Sequence, residues 1–99
     1  MYLARDIFQL KFGAFKEVLQ LLRQANEQKL MPSADTRILS DFTGRAYRLI
    51  FENQYESLAA FEKDLTEGMR TKEWQDWYVQ FKQHIESSER EILRIHELG

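Results

Sequence analysis

Apolar positions change period along the chain, and each change marks an element. Over residues 3–12, Ala4, Phe8, Leu10 and Phe12 share one parity, while Arg5, Gln9 and Lys11 share the other. This alternation predicts a strand with one face more buried than the other, interrupted at Asp6 and Ile7. Gly13 ends the run and permits a sharp turn. Over residues 14–29 the apolar spacing becomes i, i+3, i+4, i+7, i+10 at Phe15, Val18, Leu19, Leu22 and Ala25. That is one stripe of an amphipathic helix, with Glu17, Arg23, Gln24 and Glu27 outside it. Residues 30–35 close the helix: Pro32 cannot continue it, and Ser33 and Asp35 favour turns.

Two β-prone runs follow, residues 36–41 and 46–52, joined through Phe42-Thr43-Gly44-Arg45 as a hairpin. In the second run Tyr47, Leu49 and Phe51 form the face expected to meet helices, and Arg48, Ile50 and Glu52 form the other. Asn53 to Ser57 reads as a polar junction, with Ser57 a good N-cap. Leu58, Phe61, Leu65 and Met69 then repeat at helical spacing, and Gly68 loosens that helix near its end. Thr71 can cap a further segment whose stripe is Trp74, Trp77, Tyr78, Phe81 and Ile85. Periodicity leaves open whether residues 58–86 are one kinked helix or two. It also leaves the tail, residues 89–99, open between strand and helix, with Ser87-Ser88 favouring a break before it.

The order strand, helix, strand, strand, helix, strand is the split βαβ, or ferredoxin-like, arrangement of the α+β class. It places the helices on one face of a four-stranded antiparallel sheet and leaves the other face bare. Ile7, Ile38, Ile50 and Ile92 or Leu93 occupy strand positions that cannot all face the helices. A bare apolar face normally needs a partner. Two chains are therefore expected to pack sheet to sheet as a two-fold homodimer.

Length and composition narrow the functional classes. A chain of 99 residues fits one domain, taken as 1–99. The absence of cysteine excludes disulfides, zinc-thiolate sites and thiol nucleophiles. Fourteen basic against sixteen acidic residues, net charge −2, argue against a nucleic-acid partner. No run approaches the roughly 20 apolar residues of a membrane span. Charge at Arg5 and Asp6 comes too early for a signal peptide, so a cytoplasmic protein is expected. No phosphate-cradling glycine loop, serine nucleophile elbow, HExxH or EF-hand pattern occurs, so no metal and no cofactor is expected. The unusual figure is 13% aromatic residues.

Four short segments, in order, carry a family resemblance: Leu10-Lys11-Phe12-Gly13, Glu56-Ser57-Leu58-Ala59, Glu73-Trp74-Gln75 and Ser88-Glu89-Arg90-Glu91-Ile92-Leu93. Together they resemble the NIPSNAP-like group of the dimeric α+β barrel superfamily, across nearly the whole chain. Phe12 stands where the family tends to have proline, and Asp6 where many relatives carry a basic residue. The resemblance implies a ferredoxin-like protomer, two sheets closing into a barrel across a dimer axis, and a strand at the tail. Wider barrel relatives include cofactor-independent monooxygenases, haem-degrading enzymes and small-molecule binders, and kinship of fold does not choose among them.

The candidate pocket residues are Asp6, Arg48, Trp74, Tyr78 and His96. Arg48 and Asp6 form a candidate buried pair, within a set of strand charges with Arg5 and Glu52 that could orient an anionic ligand. Trp74, Trp77, Tyr78 and Phe81 suit either core packing or an aromatic box for a flat molecule. His96, if turned into the barrel, could act as acid or base; otherwise it is an exposed residue near the chain end. His84 is either a boundary histidine or, as the barrel resemblance allows, a haem ligand. The leading expectation is a protein binding a small apolar or aromatic molecule in a dimer barrel cavity. A cofactor-independent monooxygenase and a structural dimerisation module are the alternatives, so catalysis stays open.

Overall fold

The alternation over residues 3–12 is realised as β1 (Tyr2–Leu10), which lies inside the sheet between two partners. The computed structural model describes residues 1–30 and 36–99. After β1 come α1 (Phe15–Glu27), β2 (Arg37–Ser40), β3 (Arg48–Tyr55), α2 (Leu58–Gly68), α3 (Lys72–Lys82) and β4 (Ile85–Arg94). The sheet order is β2-β3-β1-β4 with every neighbouring pair antiparallel, the ferredoxin-like arrangement.

Register assigns each strand residue to a face. Phe8 stands opposite Leu49 and Ser88, and Asp6 opposite Phe51 and Arg90. These residues lie on the side covered by helices. Ile7 stands opposite Ile50 and Glu89, and Leu39 opposite Ile50, on the bare side. The same register settles the other isoleucines. Ile38 pairs with Phe51 and Ile92 with Ala4, so both belong to the covered side, and Leu93, opposite Leu3, to the bare one.

The two late helical stripes are separate helices. Ser57 Oγ accepts from Ala60 N at 3.0 Å, and Thr71 Oγ1 accepts from Trp74 N at 3.2 Å. Each hydroxyl satisfies a backbone donor that the first helical turn leaves open. At the far end of α1, Lys29 takes a left-handed φ of 55°. Leu30 N then reaches Ala25 O at 2.9 Å and Lys29 N reaches Asn26 O at 3.2 Å. This is a Schellman closure with lysine in the position that usually holds glycine. The stop expected at Pro32, Ser33 and Asp35 lies outside the described residues.

Two boundaries move because strand pairing outweighs local signals. Asn53, Gln54 and Tyr55, read as a junction, continue β3, since Ala4, Leu3 and Tyr2 offer them ladder partners. Ile85, read as the end of the α3 stripe, instead begins β4 opposite Leu10 and still packs on the core. Ser87 and Ser88, read as a break, lie inside that strand opposite Gln9 and Phe8. Tyr47, read as a strand residue, precedes β3 with φ 64°, and its carbonyl accepts from Leu10 N at 2.8 Å.

The core is Leu10 and Leu49 from the sheet, Val18, Leu22 and Ala25 from α1, and Trp77 and Phe81 from α3. Trp77 stacks on Phe81 at 4.9 Å, and its indole N–H donates to Leu21 O at 2.7 Å. The hydrogen bond lets a polar atom be buried without loss and pins α3 to α1.

Candidate functional site

A cavity of about 390 Å³ lies between the covered face of the sheet and helices α2 and α3. That volume falls in the range of small-molecule sites. The cavity lies within one chain, on the helix side, whereas the sequence reading placed a cavity between two facing sheets.

One part of its wall is aromatic. Phe8 from β1 and Phe51 from β3 meet edge to face at 5.3 Å, and Phe8 meets Phe81 from α3 at 5.1 Å. Trp77 lines the cavity beside Phe81 but is tied by its hydrogen bond to α1. Trp74 and Tyr78, one helical turn apart on α3, stack nearly parallel at 4.8 Å and 11°. Both are half-buried. Among the described residues neither the Trp74 indole N–H nor the Tyr78 hydroxyl has a hydrogen-bond partner.

The other part is polar. Arg90 Nε donates to Asp6 Oδ1 at 2.5 Å across the β1–β4 ladder, and its guanidinium lies 5.4 Å from the Phe61 ring centre. Asp64 from α2 accepts from the Tyr55 hydroxyl at 2.6 Å. Burial, then the hydrogen bond and the charge of Asp64, hold the Tyr55 phenol above its ordinary range, so it stays protonated and donating. Thr36 Oγ1 donates to Asn53 Oδ1 at 2.6 Å at the same end.

The sequence-predicted site residues divide. Asp6, Trp74 and Tyr78 line the cavity together. Arg48 does not: it stands opposite Gln9, on the other face of the sheet from Asp6. Its guanidinium binds Asp41 through Nη2 at 2.9 Å and Nε at 3.1 Å, which holds the Asp41 carboxyl below its usual range. The pairs formed are thus Asp6–Arg90 and Asp41–Arg48, rather than Asp6–Arg48. His96 follows the end of β4 and is exposed. His84, at the end of α3, borders a separate shallow hollow with Glu17 and Gln24. Among the described residues no group of three or more metal-ligating side chains is gathered.

Arg90, Asp64, Phe8 and Phe51 were not among the pocket residues read from the sequence, although Phe8 and Phe51 were placed on apolar strand faces. Arg90 becomes visible only when the tail is registered against β1, which puts it opposite Asp6. The interruption of alternation at Asp6 was the one local signal, and it marks the polar end of the cavity.

Comparison with solved structures places this architecture. A NIPSNAP family protein from Agrobacterium tumefaciens superposes with a TM-score of 0.89 at 21% identity, covering 99% of this chain and 88% of that one. The fold is that of the NIPSNAP structures. An uncharacterised NIPSNAP domain protein from Burkholderia xenovorans matches at TM-score 0.86 and 14% identity, over 97% and 95% of the two chains. An antibiotic biosynthesis monooxygenase matches at 0.72 and 14% identity, over 98% and 100%. No family model matches the sequence, and no curated protein matches it. In the NIPSNAP-type fold, Leu10-Lys11-Phe12-Gly13 forms the turn into α1 and Glu73-Trp74-Gln75 the first turns of α3. Ser88 to Leu93 runs along β4. Among the described residues no helix is long and apolar enough to cross a membrane.

Proposed function

We propose that this NIPSNAP-type protein binds a small flat molecule, partly aromatic or apolar, in the cavity between α2, α3 and the sheet. The observation that carries the reading is the stacked Trp74–Tyr78 pair, which lines a space of about 390 Å³ and keeps its polar atoms unpaired among the described residues. Core aromatics such as Trp77 spend their polar atoms on the protein; those of this pair have no protein partner among the described residues. Titrating a panel of flat aromatic compounds, followed by tryptophan fluorescence, tests it. At least one compound quenches saturably, and Trp74→Ala weakens it about tenfold, as loss of one stacking contact predicts. A panel without saturable binding overturns the reading.

The bare face supports a homodimer packed sheet to sheet. Leu93 is 43% exposed there, and Ile7 and Leu39 are half-buried around the buried Ile50. Light scattering at micromolar concentration reads the dimer, and a stable monomer overturns it.

A second reading, a cofactor-independent monooxygenase, rests on the fold shared with the antibiotic biosynthesis monooxygenase. Oxygen consumption with electron-rich phenols tests it, and a flat trace removes it. A purely structural dimerisation module would leave the cavity without ligands in the same panel.

A further inference from the structure

The polar end of the cavity carries two carboxylates against one cation. Asp6 and Asp64 line it, and Arg90 is the sole cation lining it among the described residues, while Glu89 belongs to the cavity wall by its place in β4 with its register position on the bare side. That guanidinium is already engaged, with Asp6 on one side and the Phe61 ring on the other. Each of the two lining carboxylates has one oxygen in use: Asp6 Oδ1 by Arg90 and Asp64 Oδ2 by Tyr55. Among the described residues Asp6 Oδ2 and Asp64 Oδ1 accept no hydrogen bond.

Three kinds of ligand would fare differently here. An anionic ligand must approach two carboxylates and take Arg90 from Asp6, which exchanges one charge-assisted bond for another and adds repulsion. A neutral aromatic ligand gains only stacking on the Trp74 and Tyr78 side. A cationic one gains the same stacking, the free carboxylate oxygens, and the attraction of aromatic faces for positive charge.

Resting on the reading of this cavity as a ligand site, we propose that its ligand is a flat aromatic amine. The ring lies against Trp74 and Tyr78, and the ammonium is held by Asp6 and Asp64. Tyr55 keeps Asp64 in place by donating to its other oxygen.

Calorimetric titration of the intact chain at low salt with tryptamine, 3-methylindole and indole-3-propionate tests this. These probes share a ring and differ in charge. Tryptamine binds tightest, about tenfold over 3-methylindole, as one charge-assisted bond predicts, and indole-3-propionate binds weakest. Asp64→Asn reduces tryptamine affinity about tenfold and changes that of 3-methylindole less than about twofold. Asp6→Asn serves as a second variant that leaves the Tyr55 hydrogen bond intact. Equal binding of the three probes, or a preference for indole-3-propionate, overturns the amine while the cavity reading stands. Tryptamine affinity unchanged in both variants also overturns it. If none of the three binds, the amine is overturned, and the aromatic panel above then decides the cavity reading separately.

Discussion

Arg5 faces Glu91 and Asp6 faces Arg90 across the same two strands, one residue apart. The pleat sends the first pair to the bare face and the second to the helix-covered face. On the bare face the charges close on one another. Arg5 Nη1 donates to Glu91 at 2.8 Å, Arg5 Nε lies 3.0 Å from Glu52 without the alignment of a hydrogen bond, and Arg37 approaches Glu52 at 3.8 Å. Apolar Leu3, Ile7, Ile50 and Leu93 surround this network. On the covered face Asp6–Arg90 sits at the edge of an aromatic cavity and leaves one carboxylate oxygen without a hydrogen bond among the described residues. Adjacent rungs of opposite charge order thus differ in what they leave over: the proposed dimer would bury charges already neutralised, and the proposed ligand would meet a carboxylate with an unused oxygen among the described residues.

The largest expected break comes from the core under the covered face. Phe81 is 1% exposed and stacks with Trp77 and Phe51. Phe81→Ala should lose about 3–5 kcal/mol in urea unfolding. Leu93→Ala on the bare face should cost below about 1 kcal/mol in the isolated chain and act instead on association, read by light scattering. Equal losses would erase the distinction between the faces. Next, Trp77→Phe keeps a ring but loses the indole hydrogen bond to Leu21 O and part of the buried ring volume, for about 1–3 kcal/mol.

Smaller effects sharpen the pairwise contrast. Arg5→Gln strips Glu52, whose side chain is 12% exposed, of its nearest cation, and should cost about 1–2 kcal/mol and weaken the dimer. Asp6→Asn touches a more open pair and should cost about 0–1 kcal/mol. The smallest effect is a pH dependence. Tyr55 is held above its ordinary range when folded, so above pH of about 10 it ionises in the unfolded chain and not in the folded one. Its contribution is fully present below that pH and is lost as pH climbs toward the folded value. Tyr55→Phe should flatten this component of the alkaline limb in stability measured against pH, and an unchanged slope would contradict it.

Local patterning read the elements well where neighbours along the chain decide them. The α1 stripe, the caps at Ser57 and Thr71 and the alternation of β1 all depend on residues within a turn or two. The pattern also named three residues that line the cavity: Asp6 interrupts an apolar face, and Trp74 and Tyr78 stand one turn apart on one helix. What failed depended on residues far away in sequence. Arg48 and Asp6 are both strand charges, and only the register, which sets Gln9 opposite Arg48, puts them on opposite faces. Arg90 lies 84 positions from Asp6.

The sequence by itself determined the α+β class, the order of elements, the amphipathic helices and an aromatic helix available to a cavity. Periodicity alone decides those, because it states which side of each element is apolar. Only the tertiary structure decided where β3 and β4 begin and end, which carboxylate meets which guanidinium, and on which side of the sheet the cavity opens. Each of these turns on strand register, where a shift of one residue exchanges the two faces, and register is set by the sum of cross-strand pairs rather than by any local run of residues.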